Sequence, residues 1–192
     1  MIRRGVRSLH GWITFGLWFI LLCACQNSPL EIQVDNQSSL PVCEVYFSPP
    51  QQADFGENQL GEGELIPSRG SHTFMLEAGE YDLLIRSCSE DTLYSEAKIS
   101  QNRHIIIGGE GNALFRVTNQ TAQEICYLYI STTEEWGNDR LGKVESILPG
   151  NKRVFFLPPA LVHARVLDCA MNVIAEIRGV NLSDSYEWVI SP

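Results

Sequence analysis

Four of the six cysteines, one duplicated polar loop and three of the four histidines carry most of the reactive chemistry in this chain. Cys43, Cys88, Cys126 and Cys169 can cross-link or hold a metal. Zinc is disfavoured, because there is no C-x-x-C pair and no histidine at a fixed spacing from either pair of thiols. The loop Phe55-Gly56-Glu57-Asn58-Gln59-Leu60-Gly61 returns as Trp136-Gly137-Asn138-Asp139-Arg140-Leu141-Gly142. Its candidate ligand residues are Phe55, Glu57, Asn58, Trp136, Asn138 and Asp139. Calcium needs several oxygen ligands, and Asp54, Glu57 and Asn58, or Glu134, Glu135, Asn138 and Asp139, offer them, though not at EF-hand spacing. The competing reading is structural: the aromatic and the leucine plug the end of a β module while the glycines fold the loop. Tyr46, Tyr127, Tyr129, Trp136 and Trp188 are candidates for an aromatic platform facing sugar or peptide. His72, His104 and His163 form no recognisable acid–base set. No H-E-x-x-H, G-x-S-x-G or phosphate-cradling glycine loop is present, so the chain reads as non-enzymatic.

The elements that position these residues are written twice. Gln33-Val34-Asp35-Asn36-Gln37-Ser38 matches Arg116-Val117-Thr118-Asn119-Gln120-Thr121, and Cys43–Ser48 matches Cys126–Ser131, both 83 positions on. The aromatic-glycine loop and the second cysteine of each pair recur 81 positions on. Such self-similarity implies two copies of one small module. With Cys23 and Cys25 set aside in the N-terminal segment, the remaining four cysteines allow three pairings. The repeat favours Cys43–Cys88 and Cys126–Cys169, since each copy then carries its own bridge. Closing about 45 residues would stabilise each by roughly 3–4 kcal/mol.

The hydrophobic period is two. Ile32 and Val34 alternate with Glu31, Gln33 and Asp35. Cys43, Val45 and Phe47 share a face, as do Cys126, Leu128 and Ile130. Further strands are expected at 71–76, 81–87, 92–99 and 103–107, with counterparts at 152–157, 162–168, 173–182 and 186–190. Proline and glycine turns punctuate them, and no amphipathic helix is expected. The pattern predicts an all-β chain of two tandem small antiparallel β-sandwich modules, 30–108 and 113–192, each of six or seven strands. The Gly-rich stretch 109–112 joins them, with Gly108 at its start. Ile105-Ile106-Ile107 is expected as a central strand or at the contact between modules. Asn36, Asn119 and Asn181 match the glycosylation sequon but read more simply as strand-to-turn residues.

The chain has 192 residues, 44% hydrophobic and 19% charged, which suits folded domains rather than disorder. Its formal net charge is −9. Nucleic acid is therefore excluded as a partner, since phosphate binding needs a basic face. The acidity is uneven: residues 30–108 carry 13 acids and 4 bases, residues 113–192 carry 9 and 7. A solvated surface explains this; binding of a cation or a basic partner is the sharper reading.

Residues 1–24 read as an export signal. Arg3, Arg4 and Arg7 precede an apolar run from Trp12 to Ala24, too short to span a bilayer as a helix. The run ends in Leu22-Cys23-Ala24-Cys25, which resembles the bacterial lipobox. That resemblance implies cleavage before Cys25, lipidation of its thiol and a cell-envelope location. Residues 25–29 would then be a short tether. The resulting expectation is an extracytoplasmic, membrane-anchored binding or scaffolding protein with a protein or glycan partner. The alternatives are a calcium- or carbohydrate-binding module using the duplicated loop, and an accessory subunit or atypical enzyme. The body is similar to uncharacterised tandem β modules of exported bacterial proteins.

Overall fold

Alternating side chains build the strands. In β1 (Leu30–Gln37) Leu30, Ile32 and Val34 are buried, while the residues between them reach the surface. The computed structural model describes residues 28–192 except 51, 53, 54, 143 and 144. Residues 1–27, with the expected export signal and Cys25, lie outside the described residues. The first half continues with β2 (Val42–Ser48), β3 (Gly70–Leu76), β4 (Tyr81–Ser87), β5 (Thr92–Ile99) and β6 (Arg103–Gly108). The second half repeats the series as β7 (Ala113–Asn119), β8 (Tyr127–Ser131), β9 (Lys152–Leu157), β10 (Ala160–Leu167), β11 (Val173–Leu182) and β12 (Ser185–Ile190). The chain is all-β.

Each half pairs its strands alike. β1 lies between β3, antiparallel, and β6, parallel; β7 lies between β9, antiparallel, and β12, parallel. β4 lies between β2 and β5, and β10 between β8 and β11, all antiparallel. The parallel pairs depart from an all-antiparallel sandwich. A parallel neighbour needs a long crossover, and here the rest of the copy supplies it. Ile32, Val34 and Ile105 of one sheet meet Val45, Leu83 and Ile85 of the other in the first core. Phe115, Val117 and Trp188 meet Leu128, Ala164 and Val166 in the second.

Two sequence expectations need correcting. β6 is not a central strand: among the described residues it is an edge strand paired with β1, and of the two expected places it takes the contact between the halves, against β9. Ile105 and Ile107 face the core, but Ile106 is 50% exposed, so the three isoleucines follow the two-residue period rather than a fully buried one. Cys43 does not share the core face of Val45. A bulge between Val42 and Glu44 shifts the register, and Cys43 is only half-buried. From there it bonds Cys88, just past β4; Cys126 bonds Cys169 in the same way, with Cα–Cα distances of 4.9 Å in both. Both bridges tie neighbouring strands of one sheet.

The two halves share a sheet. A parallel bridge between Thr92 of β5 and Arg153 of β9 joins β2-β4-β5 to β9-β7-β12, giving one six-stranded sheet. Side chains reinforce that seam. Arg116 of β7 clasps Asp91 through two hydrogen bonds of 3.0 and 2.7 Å, and Asp91 is fully buried. Arg153 Nη1 donates to the carbonyls of Thr92 and Leu93. Val154 of β9 packs into the first core. The connection between the halves turns at Gly108, where φ is +80° and a Cβ would lie 2.8 Å from the backbone of Ser38. Only glycine fits there.

Candidate functional site

The duplicated loop is stitched to the strand before it. Asn58 Oδ1 accepts the backbone N–H groups of Val45 and Leu60, at 2.9 and 3.1 Å. Asp139 Oδ1 accepts those of Leu128 and Leu141 at the same two distances. Asn58 also donates to the carbonyl of Cys43. The backbone N–H groups of Gln59 and Arg140 donate to Val45 and Leu128 in turn. Leu60 and Leu141 are buried. The side-chain oxygen of Asn58 and Oδ1 of Asp139 therefore already hold the loop in place. Glu57 and Asn138 stay exposed. Among the described residues, one cluster of three metal-type ligands occurs, Glu124 with Cys126 and Cys169, and its two sulfurs are bonded to each other.

With the loop fixed, Phe55 and Trp136 lie over the outer faces of their sheets. The second copy fills that face with its own side chains. Arg165 of β10 sits over Trp136 at 4.7 Å and over Tyr129 at 5.7 Å. Arg178 of β11 sits over Trp136 at 5.1 Å. Arg178 also donates to Glu176 and to Glu134, and Glu176 raises its pKa further above the usual arginine value. Arg165 has no ion pair among the described residues; its Nε is buried and its guanidinium is held by the two rings.

The first copy leaves the same place open. Eighty-one positions earlier, Leu84 stands for Arg165, Ser95 for Glu176, Ala97 for Arg178 and Phe55 for Trp136. These residues border a groove of about 260 Å³. Its far wall comes from the second copy, through residues such as Leu148, 49% exposed, and Asn151. Leu84 is only 6% exposed yet belongs to neither core. The groove also meets three carboxylates, Asp82, Glu96 and Glu145, and one base, Arg86. Glu96 binds Arg103 and the hydroxyl of Tyr94, whose pKa is raised by burial and by that carboxylate. Glu145 pairs with Arg153, and Arg86 lies over Tyr46.

The remaining candidates have structural roles. His163 Nδ1 accepts the N–H of Gly179, as Asp82 Oδ1 accepts that of Lys98 one repeat earlier. His104 bonds Asp35 at 2.7 Å and holds its carboxyl below the ordinary carboxylate value. His72 packs on Phe74. Asn36 and Asn119 are fully buried, and each bonds the carbonyls of two turns. Asn181 is exposed in β11. The proposed aromatic platform is divided: Tyr129 and Trp136 meet through Arg165, Tyr46 approaches Phe55, Tyr127 is half-buried on β8, and Trp188 is in the second core. Leu84, Ala97, Arg165 and Arg178 escaped the sequence reading. Comparing the copies position by position at the 81-residue offset would have exposed them.

No family model matches the chain, and no curated protein matches it. Among solved structures it is similar to the Bacillus anthracis TIE protein, with 11% identity, 85% of this chain and 34% of that one covered, and a TM-score of 0.30. It is similar to the family CBM26 module of Eubacterium rectale Amy13K, solved with maltoheptaose (12% identity, 85% and 92% covered, TM-score 0.30). It also resembles a leucine-rich repeat protein from Bacteroides thetaiotaomicron (7% identity, 86% and 26% covered, TM-score 0.32). The chain spans about a third of the first protein's length. Likenesses this loose carry no information about a ligand.

Proposed function

We propose that this chain is a lipid-anchored extracytoplasmic protein that binds or scaffolds a protein or glycan partner and performs no catalysis. The observation that carries this reading is the seam. A continuous sheet and the pair of buried Asp91 with partly buried Arg116 hold the two copies in one orientation, which suits a body that presents a fixed surface. The groove beside that seam is built by both copies. The two disulfides suit an oxidising, extracytoplasmic environment. Among the described residues, no helix is long and apolar enough to cross a membrane. Anchoring rests on the lipobox resemblance at Cys25. Gln26 to Pro29 reach at most about 14 Å when extended, so the body would sit close to the bilayer.

Cross-linking in intact cells, followed by affinity purification and mass spectrometry, tests the reading. One or two abundant envelope partners are expected. Turnover of a substrate by the purified chain alone, or no reproducible partner, would count against it. Cys25→Ser should release the chain from the membrane fraction; retention there would refute the anchor.

A further inference from the structure

We propose that the junction groove of the first copy seats an arginine-bearing segment of a partner protein. The inference rests on the binding reading above and names the chemistry of the partner. Its ground is the second copy, which displays an occupied form of the same site. Two guanidinium groups lie over Trp136, supplied by Arg165 and Arg178. The strands beneath are equivalent in register as well as in sequence. Leu84 pairs with Ser95 as Arg165 pairs with Glu176. The bulges between Tyr81 and Leu83 and between Ile85 and Arg86 recur between Val162 and Ala164 and between Val166 and Leu167. The side chains at these positions therefore leave the sheet from the same places in both copies.

In the first copy the two arginines are absent, and a groove bordered by Phe55, Leu84, Ser95 and Ala97 remains. Phe55 borders the groove with an aromatic ring, and Leu84 offers an apolar floor for the stem of a long cationic side chain. Asp82, Glu96 and Glu145 outnumber Arg86 along the lining, in the half of the chain with 13 acids and 4 bases. Arg103 and Arg153 already engage Glu96 and Glu145, so the pull on an incoming cation comes from the field of the whole acidic half as well as from the lining. Leu148 of the second copy supplies the apolar part of the far wall. An extended segment with two arginines two residues apart would present both on one face.

The test is calorimetric titration of the full chain in detergent. The probe is an acetylated, amidated Gly-Arg-Gly-Arg-Gly peptide, with the glutamate-for-arginine peptide and free arginine amide as comparisons. The arginine peptide should bind one site, more tightly than arginine amide, and the glutamate peptide should not bind. Filling the groove as the second copy fills its own, by Leu84→Arg with Ala97→Arg, should weaken binding at least about tenfold. Ala97→Arg alone should weaken it too, and serves if the double variant unfolds. Unchanged affinity in Ala97→Arg, equal affinity for arginine amide, or no binding at millimolar peptide would each overturn the proposal. If cross-linking still finds an envelope partner in such a case, the binding reading stands without this site.

Discussion

The two copies agree in their scaffolding and differ in their surfaces. Asn36 and Asn119 make the same turn bonds, Asn58 and Asp139 the same loop bonds, and both strand bulges recur at the same positions. Positive-φ residues recur too: Arg69 with Gly150, Glu90 with Met171 and Lys98 with Gly179. The cores keep apolar residues but repack, with Ile32, Leu83 and Ile105 giving way to Phe115, Ala164 and Trp188, and the changes of charge face outward or face the other copy. Asp91 and Arg116, which clasp the seam, correspond to Asn172 and Gln33 at the two outer ends. The bond between Asp35 and His104 is replaced by one between Thr118 and Glu187, so the contact survives while donor and acceptor change strands. A duplicated module is thus free to vary where a side chain meets solvent or a neighbour, and held where it satisfies buried backbone.

The largest expected break in the symmetry is at the seam. Asp91→Ala strands the partly buried Arg116 and should cost roughly 3 kcal/mol in urea unfolding. Asn172→Ala, its counterpart on the surface, should cost less than about 1 kcal/mol. Equal costs would mean that the seam is not held by this pair. Asn36→Ala and Asn119→Ala should each cost about 2 kcal/mol, because each leaves a buried backbone N–H, of Ser38 or Thr121, without its acceptor. A large effect in one copy only would refute their equivalence.

Smaller effects sharpen the comparison. Lys98 and Gly179 occupy the same bulge, with φ of 60° and 69°. Lys98→Gly should stabilise by about 1 kcal/mol and Gly179→Ala should destabilise by about 1 kcal/mol, read as opposite shifts in thermal midpoint. A Cβ at Gly179 meets nothing within 4 Å, so any loss there is backbone strain alone. The smallest effect concerns pH. The carboxyl of Asp35 lies below its ordinary 3.8 in the folded chain, chiefly through the hydrogen bond to His104. Its contribution is therefore present above that value and is lost as pH falls through the lowered one. Asp35→Asn should flatten the acid limb of the stability profile below about pH 4. An unchanged acid limb would assign that dependence to other groups.

Much of the fold was legible because its signals are local. The period-two runs gave the strands, and the 81- and 83-residue offsets gave the cysteine pairing. The parallel pairing of β1 with β6 was not legible, since it depends on where the last strand returns. Nor was the bulge at Cys43, where one extra residue turns the alternation over. The candidate loop was found for its repetition, and its role as a strand tie depends on backbone N–H groups that no residue type announces. The groove was hidden for a different reason. It lies at Leu84 and Ala97, residues without reactive chemistry, and its meaning comes from the arginines that replace them in the other copy.

Amide-resolved NMR of the full chain in detergent, titrated with the two-arginine peptide, tests the central claim most directly, because each copy serves as the control for the other. The account predicts shifts at Leu84, Ser95 and Ala97, with Arg165, Glu176 and Arg178 unmoved. Shifts in both trios, shifts only in the second, or none at all would contradict the claim that the first copy holds the open form of a site the second copy fills itself.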